Sequence, residues 1–373
     1  MSSSAERALT EAFKKAGIEV GGSQPWDIKV HNPAFYDRVL SQGSLGFGES
    51  YMDGWWDAEC VDELIYRILR NNLQDQVRIN PALVWGYVRA RFFNPQKSRA
   101  FEVAERHYDI CNDLYAAMLD KRLAYSCGYW KDAKSLDEAQ EAKLDLICRK
   151  IGLQKGQNIL DIGSGWGSFL MFAAQMYGAR GLGVTVSKEQ AAYANARKGD
   201  LQIETKLQDY HTLTGTFDHV VSVGMFEHVG YKNYRAYMQK VHALLDNDGY
   251  FLLHTIGGNR TVFHNEPWNA KYIFPNGMIP SIKQIGAASE DLFSMEDWHN
   301  FGPDYDTTLM AWSANFEAAW PALKATGAYD ERFHRMWNYY LMTAAASFRA
   351  RHLQLWQIVF TKIGTHGRYT SVR

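Results

Sequence analysis

The chain has 373 residues, 46% hydrophobic and 22% charged, a balance that excludes a disordered chain and leaves room for two domains with a sizeable core. A formal net charge of −1 removes the general electrostatic case for nucleic acid. The N-terminus Met1-Ser-Ser-Ser-Ala-Glu-Arg7 lacks a signal-peptide core, no apolar run approaches the roughly 20 residues of a membrane span, and Cys60, Cys111, Cys127 and Cys148 show no metal-ligand pairing, so a cytoplasmic protein with free thiols and no metal is expected.

Residues 1–88 read as a small separate domain. Between Ala5 and Ala16, Leu9, Phe13 and Ala16 fall near one face of a helix. Residues 28–30 suit a short strand, and Asn32-Pro33 suits a helix start ahead of Phe35, Val39 and Leu40. Gly43-Ser-Leu-Gly-Phe-Gly48 reads as a turn-rich loop, and a helix follows over 61–69. Residues 89–102 read as a linker. Within the run 87–99, Arg89, Arg91, Lys97 and Arg99 suit either anionic lipid head groups, at about 1 kcal/mol each, or a solvated face.

The catalytic part is expected over 103–373. Ser135-Leu-Asp-Glu138 has the form of a capping box for a helix that stops near Gly152. Strands are predicted at 158–162, 181–186, 203–207, 219–223 and 250–255, with helices at 168–176, 187–197 and 231–245 between them. That alternation predicts an α/β fold with a doubly wound parallel sheet. Residues 257–350 read as a long insertion, with helices over 306–320 and 333–351, that covers the substrate. Residues 355–361, the turn Gly364-Thr-His-Gly367 and residues 368–372 read as a C-terminal antiparallel hairpin at the sheet edge.

The most informative stretch is Asp161-Ile-Gly-Ser-Gly-Trp-Gly167, which joins the first of these strands to a helix. Glycines let backbone approach a ligand and adopt positive φ, and a helix start offers unpaired N–H groups. A dinucleotide fingerprint wants G-x-G-x-x-G, with an acid ending the second strand. Here Ser168 takes the third glycine's place, and the second strand ends in Thr185-Val-Ser187. The run instead resembles motif I of the class I S-adenosylmethionine methyltransferases. On that reading Gly163, Gly165 and Gly167 hold the methionine part. Thr185 and Gln190 lie where ribose contacts belong, and Gln208-Asp209 suits the adenine edge.

Ligands of open α/β sheets lie beyond the carboxyl ends of the strands. The 161–167 turn, Gly224-Met-Phe-Glu-His-Val-Gly230, His254-Thr-Ile-Gly257 and Tyr125-Ser-Cys-Gly-Tyr-Trp130 are expected to meet there. Singly these residues say little. Glu227 could be structural, His254 a satisfied core histidine and Cys127 an inert thiol. Tyr125, Tyr129, Trp130 and Phe226 could turn π faces toward a cation. His228 reads as structural.

Longer strings carry a second, more specific resemblance. Gly48-Glu-Ser-Tyr-Met-Asp-Gly-Trp-Trp56, His107-Tyr-Asp109, Tyr125-Ser-Cys127 and Val223-Gly-Met-Phe-Glu-His-Val-Gly230 are four of them. Tyr272-Ile-Phe-Pro-Asn-Gly277, Trp298-His-Asn-Phe-Gly302, Tyr305-Asp-Thr-Thr-Leu-Met-Ala-Trp312 and Phe348-Arg-Ala-Arg351 complete the set. Over essentially its full length the chain resembles the cyclopropane-fatty-acid–phospholipid synthases, relatives of the mycolic acid cyclopropane synthases. The resemblance implies a Rossmann-like methyltransferase sheet plus a small N-terminal domain. It implies transfer of the S-adenosylmethionine methyl to a cis double bond of unsaturated phospholipids in the bilayer, through a carbocation, to give a cyclopropane. It also implies a bound bicarbonate as proton acceptor, held by residues corresponding to Cys127, Glu227, His254, Ile256 and Tyr305. Tyr125 and Ser126 correspond to cofactor contacts. A homodimer associated peripherally with the inner face of the membrane is implied as well. One departure stands out: Ala344 occupies a position where phospholipid-acting relatives often carry cysteine.

Overall fold

The computed structural model describes residues 3–73 and 112–373. The linker 89–102, the basic run 87–99, His107-Tyr-Asp109 and Cys111 lie outside the described residues. The chain divides into two compact units. Among the described residues the first holds 3–73, 263–275 and 309–353, and the second 112–262, 276–308 and 354–373.

The N-terminal part of the first unit is therefore not self-contained, in contrast to the separate domain expected over 1–88. The two later segments add aromatic partners to the same unit, Trp268 and Tyr339 both lying against Gly48. Its first helix, Ser4–Lys15, carries a complete Ser3/Glu6 capping box and buries Ala5, Leu9 and Phe13, as its periodicity predicts. Strands β1 (Lys29–Val30) and β2 (Trp56–Asp57) pair antiparallel. Helices Ala34–Gln42 and Val61–Arg70 stand where expected.

Between them one expectation fails: Ser44–Met52 is helix, not loop. Only Gly43, at φ 60°, makes the turn. A Cβ on Gly46 would sit 2.5 Å from the Arg38 carbonyl oxygen, and one on Gly48 2.5 Å from Trp268 Cδ1. Those two glycines serve close packing of a helix. On the same helix the buried Glu49 carboxylate accepts from Arg38 at 2.6 Å, from Tyr272 at 2.8 Å and from Lys271. Burial opposes its ionisation, yet the hydrogen bonds from Lys271, Tyr272 and Arg38 hold it down at about 2.

The second unit is built on a seven-stranded sheet of order β5-β4-β3-β6-β7-β9-β8. In chain order the strands are β3 Asn158–Ile162, β4 Arg180–Thr185, β5 Ile203–Leu207, β6 Phe217–Val223, β7 Leu245–Gly258, β8 Phe293–Asn300 and β9 Leu353–Lys362. Pairs β3/β4, β4/β5, β3/β6 and β6/β7 are parallel. Alternate residues feed two cores, Leu160, Val220 and Phe251 one of them and Ile159, Val221 and Leu252 the other, as the period of two requires when both faces are covered. The order reverses at β3, which has β4 on one side and β6 on the other, so the ligand crevice belongs at its carboxyl end.

The expected antiparallel edge is present, with a different partner. β9 pairs with β8, and residues 368–372 form no strand. Arg373 instead makes two hydrogen bonds to the Asp297 carboxylate on β8, at 2.6 and 2.7 Å. It follows that 257–350 is not one uninterrupted insertion, because it contributes an edge strand to the sheet. Its long helices run Pro303–Ala325 and Glu331–Arg349. Ala344 lies half-buried on the latter, in the first unit.

Candidate active site

At the end of β3 the Gly163 and Ser164 N–H groups both donate to the Val184 carbonyl, at 2.9 and 3.0 Å. This folds the glycine run across β4. Gly163, Gly165 and Gly167 have φ of 85°, 54° and 81°, so all need glycine's freedom. Their surroundings differ. A Cβ on Gly163 would meet Met225 at 2.6 Å, and one on Gly167 would meet Ala194 and Met171 at 3.1 Å, whereas one on Gly165 meets nothing within 4 Å. Only Gly165 of the expected three therefore faces open space; the others bring elements together. Asp161, at the head of the run, is buried with its Oδ1 unpaired among the described residues. Burial pushes its carboxyl up to about 7, with Lys143 pulling the other way.

Along the next strand ends the expected ribose and adenine residues line up. The Thr185 hydroxyl donates to Gln190 Oε1 at 2.8 Å, and the Gln208 N–H donates to the Thr185 carbonyl at 3.0 Å. Part of their hydrogen-bonding capacity is used locally. Gln208 Nε2 donates to Thr212 Oγ1 at 2.9 Å, and Asp209 Oδ1 accepts from the His211 N–H at 2.9 Å.

The 124–130 loop is held from two helices that the sequence predicts, the Ser135-capped one and the one expected over 306–320, although their contacts to this loop were not read from it. From Leu136–Lys150, Gln140 Nε2 donates to the Ser126 carbonyl at 2.7 Å, and Lys143 Nζ donates to Ser126 Oγ at 2.7 Å. From Pro303–Ala325, Thr308 Oγ1 accepts from the Gly128 N–H at 3.1 Å and from Trp130 Nε1 at 2.9 Å. Asp304 Oδ2 accepts from the Trp130 N–H at 2.7 Å. Tyr125 packs edge-on against Tyr115, and Tyr129 against Phe301. Phe226 differs from the π-face expectation: it is fully buried and stacks on Tyr234 at 4.3 Å, so it belongs to the core. Where β6 ends, a Cβ on Gly224 would come 3.9 Å from Ser126 Cβ, which brings this loop to the crevice.

Of the expected quintet, Glu227, His254 and Ile256 lie at the ends of β6 and β7. Val223 pairs with His254 in register, and beyond that pair Glu227 Oε1 accepts from the Ile256 N–H at 2.6 Å. That N–H was expected to face an anion and is here committed to the carboxylate. Burial pushes the Glu227 carboxyl up to about 7 against this hydrogen bond. Its Oε2 is buried and has no partner among the described residues. His254 Nδ1 lies 3.3 Å from Gln357 Nε2. With the amide nitrogen so assigned, the ring accepts at Nδ1 and carries its hydrogen on Nε2. That Nε2 is likewise buried and unpaired among the described residues. Burial first, then Lys143 and Lys150, depress His254 well below the usual imidazole range, so it is neutral. Its neighbour in sequence to Glu227, His228, is also kept neutral by burial, at about 4.

Cys127 is fully buried, and its thiol donates to the Gly128 carbonyl at 3.1 Å. Burial, with Asp304 nearby, lifts it well above the usual thiol range, which makes it a poor nucleophile. Tyr305, buried, sits one turn before Thr308 on the same helix. A helical face shared by residues three apart puts it on the side that holds the 127–130 loop. Gln140, Lys143, Thr308 and Gln357 were missed from sequence. The one available signal is a polar residue recurring among apolar ones: Gln140 and Lys143 lie beside Ala139, Leu144 and Ile147, all buried.

Residues 95–358 match a family model described as mycolic acid cyclopropane synthetase. The cyclopropane-fatty-acyl-phospholipid synthase of Escherichia coli (strain K12) is 50% identical over 357 residues, 95% of this chain and 93% of that protein. Tuberculostearic acid methyltransferase UfaA1 of Mycobacterium tuberculosis is 31% identical over 93% of this chain and 86% of its own length. Among solved structures, mycolic acid cyclopropane synthase CmaA1 complexed with SAH and CTAB superposes with a TM-score of 0.64 at 32% identity, covering 70% of this chain and 97% of that one.

Proposed function

The chain belongs to the mycolic acid cyclopropane synthetase family and is an S-adenosylmethionine-dependent methyltransferase, and on that premise we propose that it cyclopropanates the cis double bonds of unsaturated acyl chains in membrane phospholipids. The observation that carries this reading is the 50% identity across 95% of the chain with a synthase of that activity. The alkene π pair attacks the sulfonium methyl, and S-adenosylhomocysteine leaves. The resulting carbocation loses one proton from the added methyl, and the ring closes.

The sulfonium is already a strong electrophile, so no side chain has to attack. The protein contributes proximity, a dry pocket and a place for the proton. Cys127, a protonated thiol, does not compete for the cation. A bicarbonate held by Glu227, His254, Tyr305 and the backbone near Cys127 supplies a proton acceptor when bound. The unpaired Glu227 Oε2 and His254 Nε2 fit such a group: one accepts an O–H, the other donates an N–H. Ile256 acts in this reading by fixing Glu227 through its N–H.

The protein would meet the cytoplasmic face of the membrane peripherally, as a homodimer. No described helix is long and apolar enough to cross a membrane. Incubation with vesicles of unsaturated phospholipid and methyl-labelled S-adenosylmethionine tests the function. Label is expected in the lipid, and its absence from a folded, cofactor-binding protein overturns the reading. Turnover is also expected to fall in bicarbonate-depleted buffer and to recover on adding bicarbonate; indifference to depletion would make a side chain the base.

A further inference from the structure

We propose that Lys143 is a positioning residue of the cofactor site, one that orients the Ser126 hydroxyl as a hydrogen-bond donor toward the carboxylate of the cofactor's amino-acid part. The inference rests on the reading of Ser126 as a cofactor contact.

Lysine is rarely fully buried, yet Lys143 is 1% exposed inside the second unit. Burial lowers its ammonium to about 8, while Asp120, Cys127 and Asp161 raise it. It is therefore still charged at neutral pH, and an ammonium can only donate. Its Nζ stands 2.7 Å from Ser126 Oγ, so the hydroxyl oxygen is an acceptor there. The hydroxyl hydrogen must then point to another acceptor. Gln140, on the same helix face, already holds the Ser126 carbonyl at 2.7 Å. Asp120 fixes the start of the loop by accepting from the Arg122 and Ala124 N–H groups, at 2.9 and 2.8 Å. The loop backbone is thus set from below, and the Ser126 hydroxyl is left as its adjustable group. Ser126 lies beside Gly224, where β6 ends, on the crevice side of the sheet. A carboxylate bound in that crevice is the acceptor that this geometry prepares. Without Lys143 the hydroxyl could rotate and offer its lone pairs to the carboxylate, which is repulsive.

The test is a double-mutant cycle on ligand affinity, measured by calorimetry with two probes. S-adenosylhomocysteine has the amino-acid part, and 5′-methylthioadenosine lacks it. Lys143→Met and Ser126→Ala are each expected to weaken S-adenosylhomocysteine by about tenfold or more, the scale of a hydrogen bond to a charged group. The double variant should be no weaker than either single one. Affinity for 5′-methylthioadenosine should stay within about twofold throughout. A structural role alone would move both probes together, and that result overturns the proposal. Additive losses, or full affinity in Lys143→Met beside a loss in Ser126→Ala, also overturn it. Unchanged affinity in Ser126→Ala instead refutes the reading of Ser126 itself. Lys143→Gln, whose shorter arm withdraws the donor, carries the same cycle if Lys143→Met does not fold.

Discussion

Glu227 shows how one residue's surroundings set its chemistry. Its carboxyl, pushed up by burial to about 7, must be ionised to accept an O–H. Turnover should therefore rise with pH through about 7 at saturating bicarbonate, and Glu227→Gln should flatten that limb and lower turnover by about 10²-fold, the scale of a lost general base. A pH–rate profile of both proteins checks this. The stability effect has the opposite sign. A carboxyl whose folded value is raised above its usual 4.5 favours folding below that value and loses the advantage as pH rises through about 7. Glu227→Gln should accordingly gain stability on wild type above neutral pH in urea melts. Among the glycines, Gly165→Leu should abolish S-adenosylmethionine binding with the fold retained at a cost of about 1–2 kcal/mol, because its Cβ direction is open while its φ of 54° strains any side chain. Gly163→Ala should chiefly lower the melting temperature, because Met225 lies 2.6 Å away. Calorimetric affinity beside thermal melts separates the two. The meeting of Glu227, His254 and Ile256 was legible in the sequence, since adjacent parallel strands must deliver the residues after them to one edge. The supports were not. Lys143, Thr308 and Gln357 act on partners 17, 180 and 103 residues away, and no periodicity names a partner.

Elements were read well wherever periodicity and turn chemistry agreed. All five predicted strands of the parallel part exist within a few residues of their expected bounds, as do the helix at Ser168–Tyr177 and the Ser135-capped helix. In the latter the reciprocal arm moves by one: Glu138 accepts from the Lys134 N–H at 2.8 Å. Ser44–Met52 was misread because its glycines look like turn residues, while their reason is contact with Arg38 and Trp268, which only tertiary structure supplies. The β9 partner was misread for a related cause. A nearby segment after a glycine turn looks like a hairpin arm, but β8 won by pairing along seven residues of register. The helix Ser44–Met52 gives a test of its own. Glu49 is held at about 2 against a usual 4.5, so it contributes stability that is present above about 4.5 and lost as pH falls toward 2. Glu49→Gln should cost about 3 kcal/mol at pH 7, as for a broken buried ion pair, and roughly half of that or less at pH 3, where the unfolded carboxyl is already protonated while the folded one is not. Denaturant melts at the two values check it; an equal cost at both would show that the charge is not what matters.

At the scale of the whole molecule, the first unit joins 3–73 to 263–275 and 309–353. Within it Trp268 and Tyr339 lie against each other at 4.6 Å, and both crowd Gly48. Arg349 reaches Asp62 at 2.7 Å. Deleting 1–73 should therefore expose these aromatics and give an aggregating protein, which sedimentation of the truncated chain would detect. A monodisperse, stable product would contradict that. In the proposed reaction the transferred methyl becomes a ring carbon. The direct measurement uses trideuteromethyl-labelled S-adenosylmethionine with unsaturated phospholipid vesicles, followed by mass spectrometry and proton NMR of the lipid. The account predicts that two of the three deuterons remain, with cyclopropane resonances and loss of the alkene. Retention of all three deuterons in a methyl branch, or an exocyclic alkene, would contradict it.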